Sequence, residues 1–439
     1  MSVNTSRRTF LLATGMTALA SRSAFGANQR LRLGVIGAGG RMKSLLNAAE
    51  SSGVDFEIVA VCDVYAPNRE QVQTRPSATN ATLHNDYREV VDNKGIDAVL
   101  IATPDHWHVR IATAALAAGK DVYLEKPVNH TLEEGETLRK AVRNSNRILQ
   151  CGMQQRSWPH FRNAVALIQG GALGRVPQVR TYWWQNYAVS WVPKPVDLAQ
   201  LDWKQWLGGA PDQPYDAEKF FRWRWYWNFG GGAMTDLFAH WIDVVHWALK
   251  AEAPSMATML GDKYVFTNWE CPDTIQAAFR YPGFDVVYEG MMSSSIDDGG
   301  LEFRGTDATL KLTRSGMTVW HEGVKGPQNP ILKEDTFRDG TNDHMLNFFQ
   351  CLESRKEPNA PVEAGIAAAN AGHIGNLAYK NGGVWQSKPP IRTAASGSQN
   401  TDNVFSCGGI EQRTYRRHAA HAETLAGRAL VPRARNSTL

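Results

Sequence analysis

From Leu31 to Gln154 short apolar strands alternate with amphipathic helices, and no other pattern restricts the fold of this chain as much. Strands are expected at Leu31–Ile36, Phe56–Cys62, Ala98–Thr103, Val122–Leu124 and Ile148–Cys151, with helices over Arg41–Ser51, Tyr87–Asn93, His108–Ala118 and Leu132–Asn144. A strand that passes through a helix into the next strand comes back parallel to itself, by a right-handed crossover. The pattern therefore predicts an α/β, doubly wound parallel sheet. Ligands of such sheets sit at the carboxyl ends of the strands.

After residue 155 the texture changes. A helix over Pro159–Gln169 leads to a strand at Val176–Trp184, an irregular aromatic stretch reaching Phe229, and a helix over Ala233–Leu249. Alternating apolar and polar segments follow at Ala257–Tyr264, Thr274–Tyr281, Phe284–Met292, Leu301–Arg304 and Thr309–Leu312. Period-two alternation predicts a large, mainly antiparallel sheet in a C-terminal α+β domain. Two late helices, His344–Ser354 and Ala364–Tyr379, are expected to pack back on the core. The expected divisions are a leader over 1–27, a nucleotide-binding domain over 28–155, an α+β substrate and oligomerisation domain over 156–390, and a tail over 391–439. From about Thr393 that tail is rich in Ser, Gly, Asn and Arg with few large apolar residues, the composition of a poorly ordered segment.

The leader has a layout of its own. Ser6-Arg7-Arg8-Thr9-Phe10-Leu11 precedes a short apolar run to Ala20, then small residues at Ala24-Phe-Gly-Ala27. This is the arrangement of a twin-arginine export signal, and it predicts a periplasmic or otherwise exported protein. The run is too short to anchor a membrane, and no other segment predicts a membrane span. The net charge of +4 comes from 47 basic and 43 acidic residues, too balanced for a nucleic-acid partner. Cys62, Cys151, Cys271, Cys351 and Cys407 are far apart, without a C-x-x-C pair, and read as buried apolar residues rather than a metal site or disulfide frame.

The first strand runs into Gly37-Ala-Gly-Gly-Arg-Met42. Gly37 permits the tight turn and Gly39 lets backbone N–H groups approach a pyrophosphate. The helix that starts near Gly40, followed by Arg41, favours phosphate charge at its N-terminus. The third glycine of G-x-G-x-x-G is replaced by Met42, which implies looser packing of helix on strand. The second strand ends at Cys62-Asp63-Val64, where Asp63 is placed to accept from the adenosine ribose hydroxyls. A carboxylate there favours NAD, while Arg41 and Arg69 leave NADP open.

Asp121-Val-Tyr-Leu-Glu-Lys-Pro127 is an apolar strand ending in Glu125-Lys126-Pro127, and Gly230-Gly-Gly-Ala-Met-Thr-Asp236-Leu-Phe-Ala-His240-Trp-Ile-Asp243 is a glycine-rich approach to a helix. A lysine at such a strand end would face the cofactor. Asp236, His240 and Asp243 are spaced to share one helical face, on which an acid can orient the imidazole and raise its basicity. With the glycine turn, these motifs resemble the Gfo/Idh/MocA oxidoreductases over roughly residues 31 to 390. That family has a Rossmann domain, binds NAD(P), and acts mostly on sugars, sugar acids and cyclitols. The resemblance implies that His240, assisted by Asp236 and Lys126, moves the hydroxyl proton during hydride transfer. It also makes Thr103-Pro104-Asp105-His106-Trp107-His108 the family's T-P-N-x-x-H element lining the nicotinamide pocket, with Asp105 where Asn is usual and His108 at the family's histidine. Asp105 reads equally as a helix N-cap, and His106 as a surface residue.

Between the motifs the chain is rich in Trp and Arg, types that stack on sugar rings and donate to hydroxyls or carboxylates but also favour subunit interfaces. Arg156 and Arg224, close to the motifs, are the expected substrate contacts beside Asp236 and His240. No metal site is expected. The resulting expectation is an exported sugar oxidoreductase, a homodimer or homotetramer, whose NAD stays tightly bound because free nucleotide is scarce outside the cytoplasm. The resemblance also allows an NAD-dependent glycosidase that oxidises, eliminates, hydrates and reduces again. The N-acetylgalactosaminidase branch, however, carries G-G-x-x-Y-x-T-H where this chain has Thr235-Asp236-Leu-Phe-Ala-His240. A non-catalytic sugar-binding role is disfavoured by the intact Lys126, Asp236 and His240.

Overall fold

The computed structural model describes residues 30–188, 193–323, 330–336 and 339–387. The leader, the tail, Cys407 and Trp191 lie outside them. The first sheet contains β1 (Leu31–Ile36), β2 (Phe56–Cys62), β3 (Thr82–His84), β4 (Ala98–Ile101), β5 (Asp121–Leu124) and β6 (Leu149–Cys151). All are parallel, in the order β3-β2-β1-β4-β5-β6, so the order reverses between β1 and β4. Every residue of β4 and β5 is buried, because helices cover both faces. Burying each large aliphatic chain there contributes about 1.5–3 kcal/mol. The sequence pattern missed two elements on this side, β3 and the helix Ala66–Gln73. One is three residues long, and the other buries only Val72, so neither carries a periodic apolar signal.

The second sheet has nine strands: β7 (Gln178–Trp184), β8 (Met256–Asp262), β9 (Thr274–Tyr281), β10 (Phe284–Met291), β11 (Gly299–Arg304), β12 (Ala308–Thr313), β13 (Gly316–His321), β14 (Leu332–Asp335) and β15 (Val384–Gln386). Their order is β14-β13-β12-β11-β7-β10-β9-β8-β15. Only β7 and β10 pair in parallel. β9 alternates buried and outward residues, as a sheet with one covered face must.

Two helices join the halves. Leu132–Ser145 starts on Thr131, whose hydroxyl accepts from the Glu134 N–H at 3.3 Å, while the Glu134 carboxylate accepts from the His130 N–H at 2.8 Å. This is a near-reciprocal cap of the helix start. Thr341–Ser354 follows the second sheet in sequence, yet its Met345, Phe348, Phe349 and Leu352 lie in the same buried cluster as Leu33, Val35 and Leu45 of the first. Cys62, Cys151, Cys271 and Cys351 are buried and unpaired. No described helix is long and apolar enough to cross a membrane.

Candidate active site

The cleft opens at the carboxyl ends of β1, β2, β4 and β5, and its volume is about 990 Å³. β1 ends in Gly37, at φ +81°, where an added Cβ would lie 2.8 Å from the backbone of Ala102 and Thr103. Both the left-handed conformation and the close approach exclude other residues. The Ala38 N–H donates to the Asp63 carboxylate at 2.7 Å, and the Tyr65 N–H donates to its other oxygen at 2.8 Å. Asp63 therefore braces the glycine turn as well as lining the cleft; burial pushes its carboxyl up against these bonds. Arg69 donates to the Asp63 main-chain carbonyl at 2.5 Å, and Arg41 turns inward to Glu125 at 2.6 Å. Both arginines are thus engaged with the protein itself.

β5 delivers Glu125 and Lys126. Lys126 forms an ion pair with the Asp236 carboxylate and donates to the Asp236 main-chain carbonyl at 2.9 Å. The two side chains are only 12% and 9% exposed. An ammonium has three N–H donors, so one remains for a ligand oxygen. Asp236 also accepts from Arg224 at 3.1 Å. Burial opposes the Asp236 charge, but Lys126 and Arg224 hold its pKa down at about 2.

Asp236 does not lie in a regular α-helix. Met234–Phe238 forms a π-helical turn that continues into the α-helix Ala239–Leu249. The wider turn changes the expected face: Asp236 and His240 line the cleft, whereas Asp243 points into the protein and pairs with Arg156 at 2.8 Å. The Asp236 carboxylate holds the two cations and not the imidazole. His240 instead stacks on Trp183, with ring centroids 5.7 Å apart at 24°, and its Nδ1 is buried without a partner. Burial first, then Lys126, Arg314 and Arg41, keep its pKa well below the usual imidazole range. The ring is therefore neutral at physiological pH, the state of a proton acceptor.

The expected residues divide clearly. Gly37, Gly39, Gly40, Arg41, Asp63, Thr103, Pro104, Glu125, Lys126, Arg224, Asp236 and His240 all line the cleft. Four do not. Met42 is completely buried and fills the space between helix and sheet, so packing there is not loose. Arg156 is spent on Asp243 and is no substrate contact. His108 is buried, with its ring nitrogens bonded to the Pro127 and Thr103 carbonyls at 2.6 and 2.9 Å, so it shapes the wall from behind. Asp105 is the first residue of the helix Asp105–Ala117 rather than its cap; it is buried, with Oδ1 unpartnered. Burial raises the Asp105 carboxyl well above the usual range, and Asp236 adds to this while Arg224 opposes it. His106 is not a surface residue: its Nε2 meets the Trp206 carbonyl at 3.0 Å and burial drives its pKa to about 3.

Sequence reasoning missed Arg314 in the lining and gave no particular role to Trp183 or Gln154, while Trp107 lines the cleft within the Thr103–His108 element. Trp183 stood out as an aromatic, but nothing local marked it as the platform under His240. Arg314 lies in the turn between β12 and β13, remote from every motif. No group of three or more metal-ligating side chains occurs among the described residues.

A glycine turn at a sheet's switch point, an acid at the end of the next strand and a Lys–Asp–His cluster define a nucleotide-dependent enzyme of the Rossmann type. Two family models match, "Oxidoreductase family, NAD-binding Rossmann fold" over residues 31–153 and "GFO/IDH/MocA C-terminal domain" over residues 161–311. The chain belongs to the Gfo/Idh/MocA oxidoreductase family. Levoglucosan dehydrogenase of Pseudarthrobacter phenanthrenivorans is 29% identical over 164 residues, which are 37% of this chain and 35% of that protein. Inositol 2-dehydrogenase of Salmonella paratyphi B is 31% identical over 165 residues, 37% of this chain and 48% of that protein. The chain thus spans a third to a half of these curated relatives. A structure of levoglucosan dehydrogenase with NADH and levoglucosan is similar at a TM-score of 0.67 and 18% identity, covering 82% of this chain and 99% of that one, a likeness of fold.

Proposed function

We propose that this protein is an NAD-dependent oxidoreductase that takes a hydride from a secondary alcohol carbon of a sugar or sugar derivative. The carrying observation is the Lys126–Asp236 pair beside a neutral His240, in one cleft with the Gly37 turn. The residues present suit the nucleotide. A Cβ on Gly39 or Gly40 would meet nothing within 4 Å, so both backbones lie open to a pyrophosphate. Asp63 lines the cleft at the end of β2, where a ribose would lie, and Arg41 and Arg69 are engaged with Glu125 and the Asp63 carbonyl, which supports NAD over NADP. Thr103 Oγ1 is buried without a partner, a hydroxyl that a ligand on the nicotinamide side can satisfy.

Bound there, NAD supplies an acceptor for the hydride. The chain's own groups manage the proton and the substrate oxygen. His240 accepts the hydroxyl proton. The spare Lys126 N–H donates to that oxygen and steadies the charge that develops on it as the C–H bond breaks, leaving a ketone. Asp236 fixes the ammonium, and Arg224 fixes Asp236. The levoglucosan and inositol dehydrogenase relatives support a polyol substrate.

The pattern around Arg7-Arg8 supports export by the twin-arginine route with the nucleotide already in place, regenerated by a second sugar or carbonyl acceptor. Nucleotide released on denaturing the purified protein, and slow exchange with added NAD, are the expected results; empty protein that exchanges freely refutes tight binding. Incubation with free sugars and aryl glycosides tests the reaction. Persistent reduced-nicotinamide absorbance with free sugars is expected. Aglycone release without net reduction would replace this reading with the redox-neutral glycosidase, and binding without either would leave a sensor.

A further inference from the structure

The cleft lining carries seven lysines and arginines against three carboxylates. Part of that surplus would serve the pyrophosphate of a dinucleotide, and most of the arginines near the cleft are already matched. Arg41 holds Glu125 at 2.6 Å, Arg224 holds Asp236 at 3.1 Å, and Arg156, behind the wall, holds Asp243 at 2.8 Å. Arg314 is different. Among the described residues it makes no ion pair and donates no side-chain hydrogen bond. Its guanidinium lies over the indoles of Trp183 and Trp158, at 4.7 and 6.0 Å from the ring centroids, and its Nε is buried without a partner. Indole faces return about 0.5–2 kcal/mol to such a cation. A carboxylate is a planar, bidentate match for its fork of donors.

Resting on the oxidoreductase reading of this cleft, we infer that its substrate carries a carboxylate and that Arg314 docks it beside His240. One ring sets the geometry. Trp183 carries Arg314 on its face and stacks on His240 at 5.7 Å, so the docking point and the proton acceptor are separated by roughly the width of one aromatic platform. An acid group held on Arg314 brings the neighbouring hydroxyl-bearing carbons of a hexuronate or aldonate next to the imidazole. Arg314 is then a specificity-determining residue supplied by the second sheet, whereas the proton chemistry comes from β5 and the π-helical turn.

The test uses the full chain saturated with NAD and matched pairs of D-galacturonate with D-galactose and D-glucuronate with D-glucose. Turnover is followed by nicotinamide reduction and binding by quenching of tryptophan fluorescence. The native protein is expected to favour at least one acid over its neutral partner by about tenfold or more in kcat/KM. Arg314→Gln should collapse that ratio by about tenfold to a hundredfold, chiefly through KM, and Arg314→Lys should restore part of it. A thermal melt of both variants separates this from misfolding. Equal or better use of neutral sugars, an equal loss for both members of a pair in Arg314→Gln, or a preference for hexose phosphates over hexuronates overturns the assignment. Turnover of neutral sugars alone leaves the oxidoreductase reading standing while the docking role falls. Acid-selective, Arg314-dependent quenching without any turnover does the reverse.

Discussion

At the residue scale the proposed chemistry rests on Lys126, Asp236 and His240, which lie together in the cleft. His240→Asn removes the proton acceptor and keeps a polar group, so kcat/KM should fall by about a hundredfold to ten-thousandfold with the nucleotide still bound. Because the folded imidazole titrates well below 6.5, the pH–rate profile should stay flat from pH 8 to 6; an acidic limb centred near 6.5 would refute the neutral, buried ring. Asp236→Asn leaves Lys126 and Arg224 facing a neutral amide and should cost about 3 kcal/mol of stability along with most activity, read from chemical unfolding and steady-state rates. The sequence exposed these three residues because each sits in a local motif. It misassigned Arg156 because sequence proximity to a motif says nothing about direction: its guanidinium runs away from the cleft to Asp243, one of the residues grouped with the motif.

At the element scale the glycine turn and the π-helical segment do the positioning. Gly37→Ala forces a side chain into a left-handed conformation and into the Ala102–Thr103 backbone, so about 1–3 kcal/mol of stability and much of the NAD affinity should be lost, measurable by thermal shift with and without nucleotide. Met42 is the more instructive position. Restoring the missing glycine, Met42→Gly, should destabilise the protein by about 3–5 kcal/mol, since a filled core site becomes a cavity and a helix gains a glycine. A glycine pattern shows that a helix must approach a strand, but not that a thioether has closed the gap instead. Five of the six strands of the first sheet were legible to within a residue or two, because both faces are covered and each is a largely apolar run, while the three-residue β3 was not. β14 and β15 were not, because they are four and three residues long, form the two edges of the second sheet and keep residues at the surface; the six-residue β13 was missed as well. The π-helical turn was invisible for another reason: its sequence satisfies an α-helix equally well.

At the scale of the whole molecule, the two sheets share more than a linker. The helix Thr341–Ser354 closes the core of the first sheet after the chain has completed most of the second, a long-range contact that no local pattern announces. Several interior histidines make the fold sensitive to acid. Burial lowers His246 to about 3, and His344 and His373 to about 4. Below pH 6.5 the unfolded chain therefore binds protons that the folded chain refuses, so stability rises with pH up to about 7 and then levels off. Each ring should remove about 2 kcal/mol between pH 7 and pH 5, and Tm should fall by about 10 °C over that interval by calorimetry.

The bond between Lys126 and Asp236 has a mechanical side. The first residue rides on the parallel sheet and the second on the segment leading to the other half, so their contact is a clasp across the crevice. Any widening of the crevice at this point must first part opposite charges hidden from water. Replacing either partner removes that resistance, so whatever step waits on the opening of the crevice should quicken.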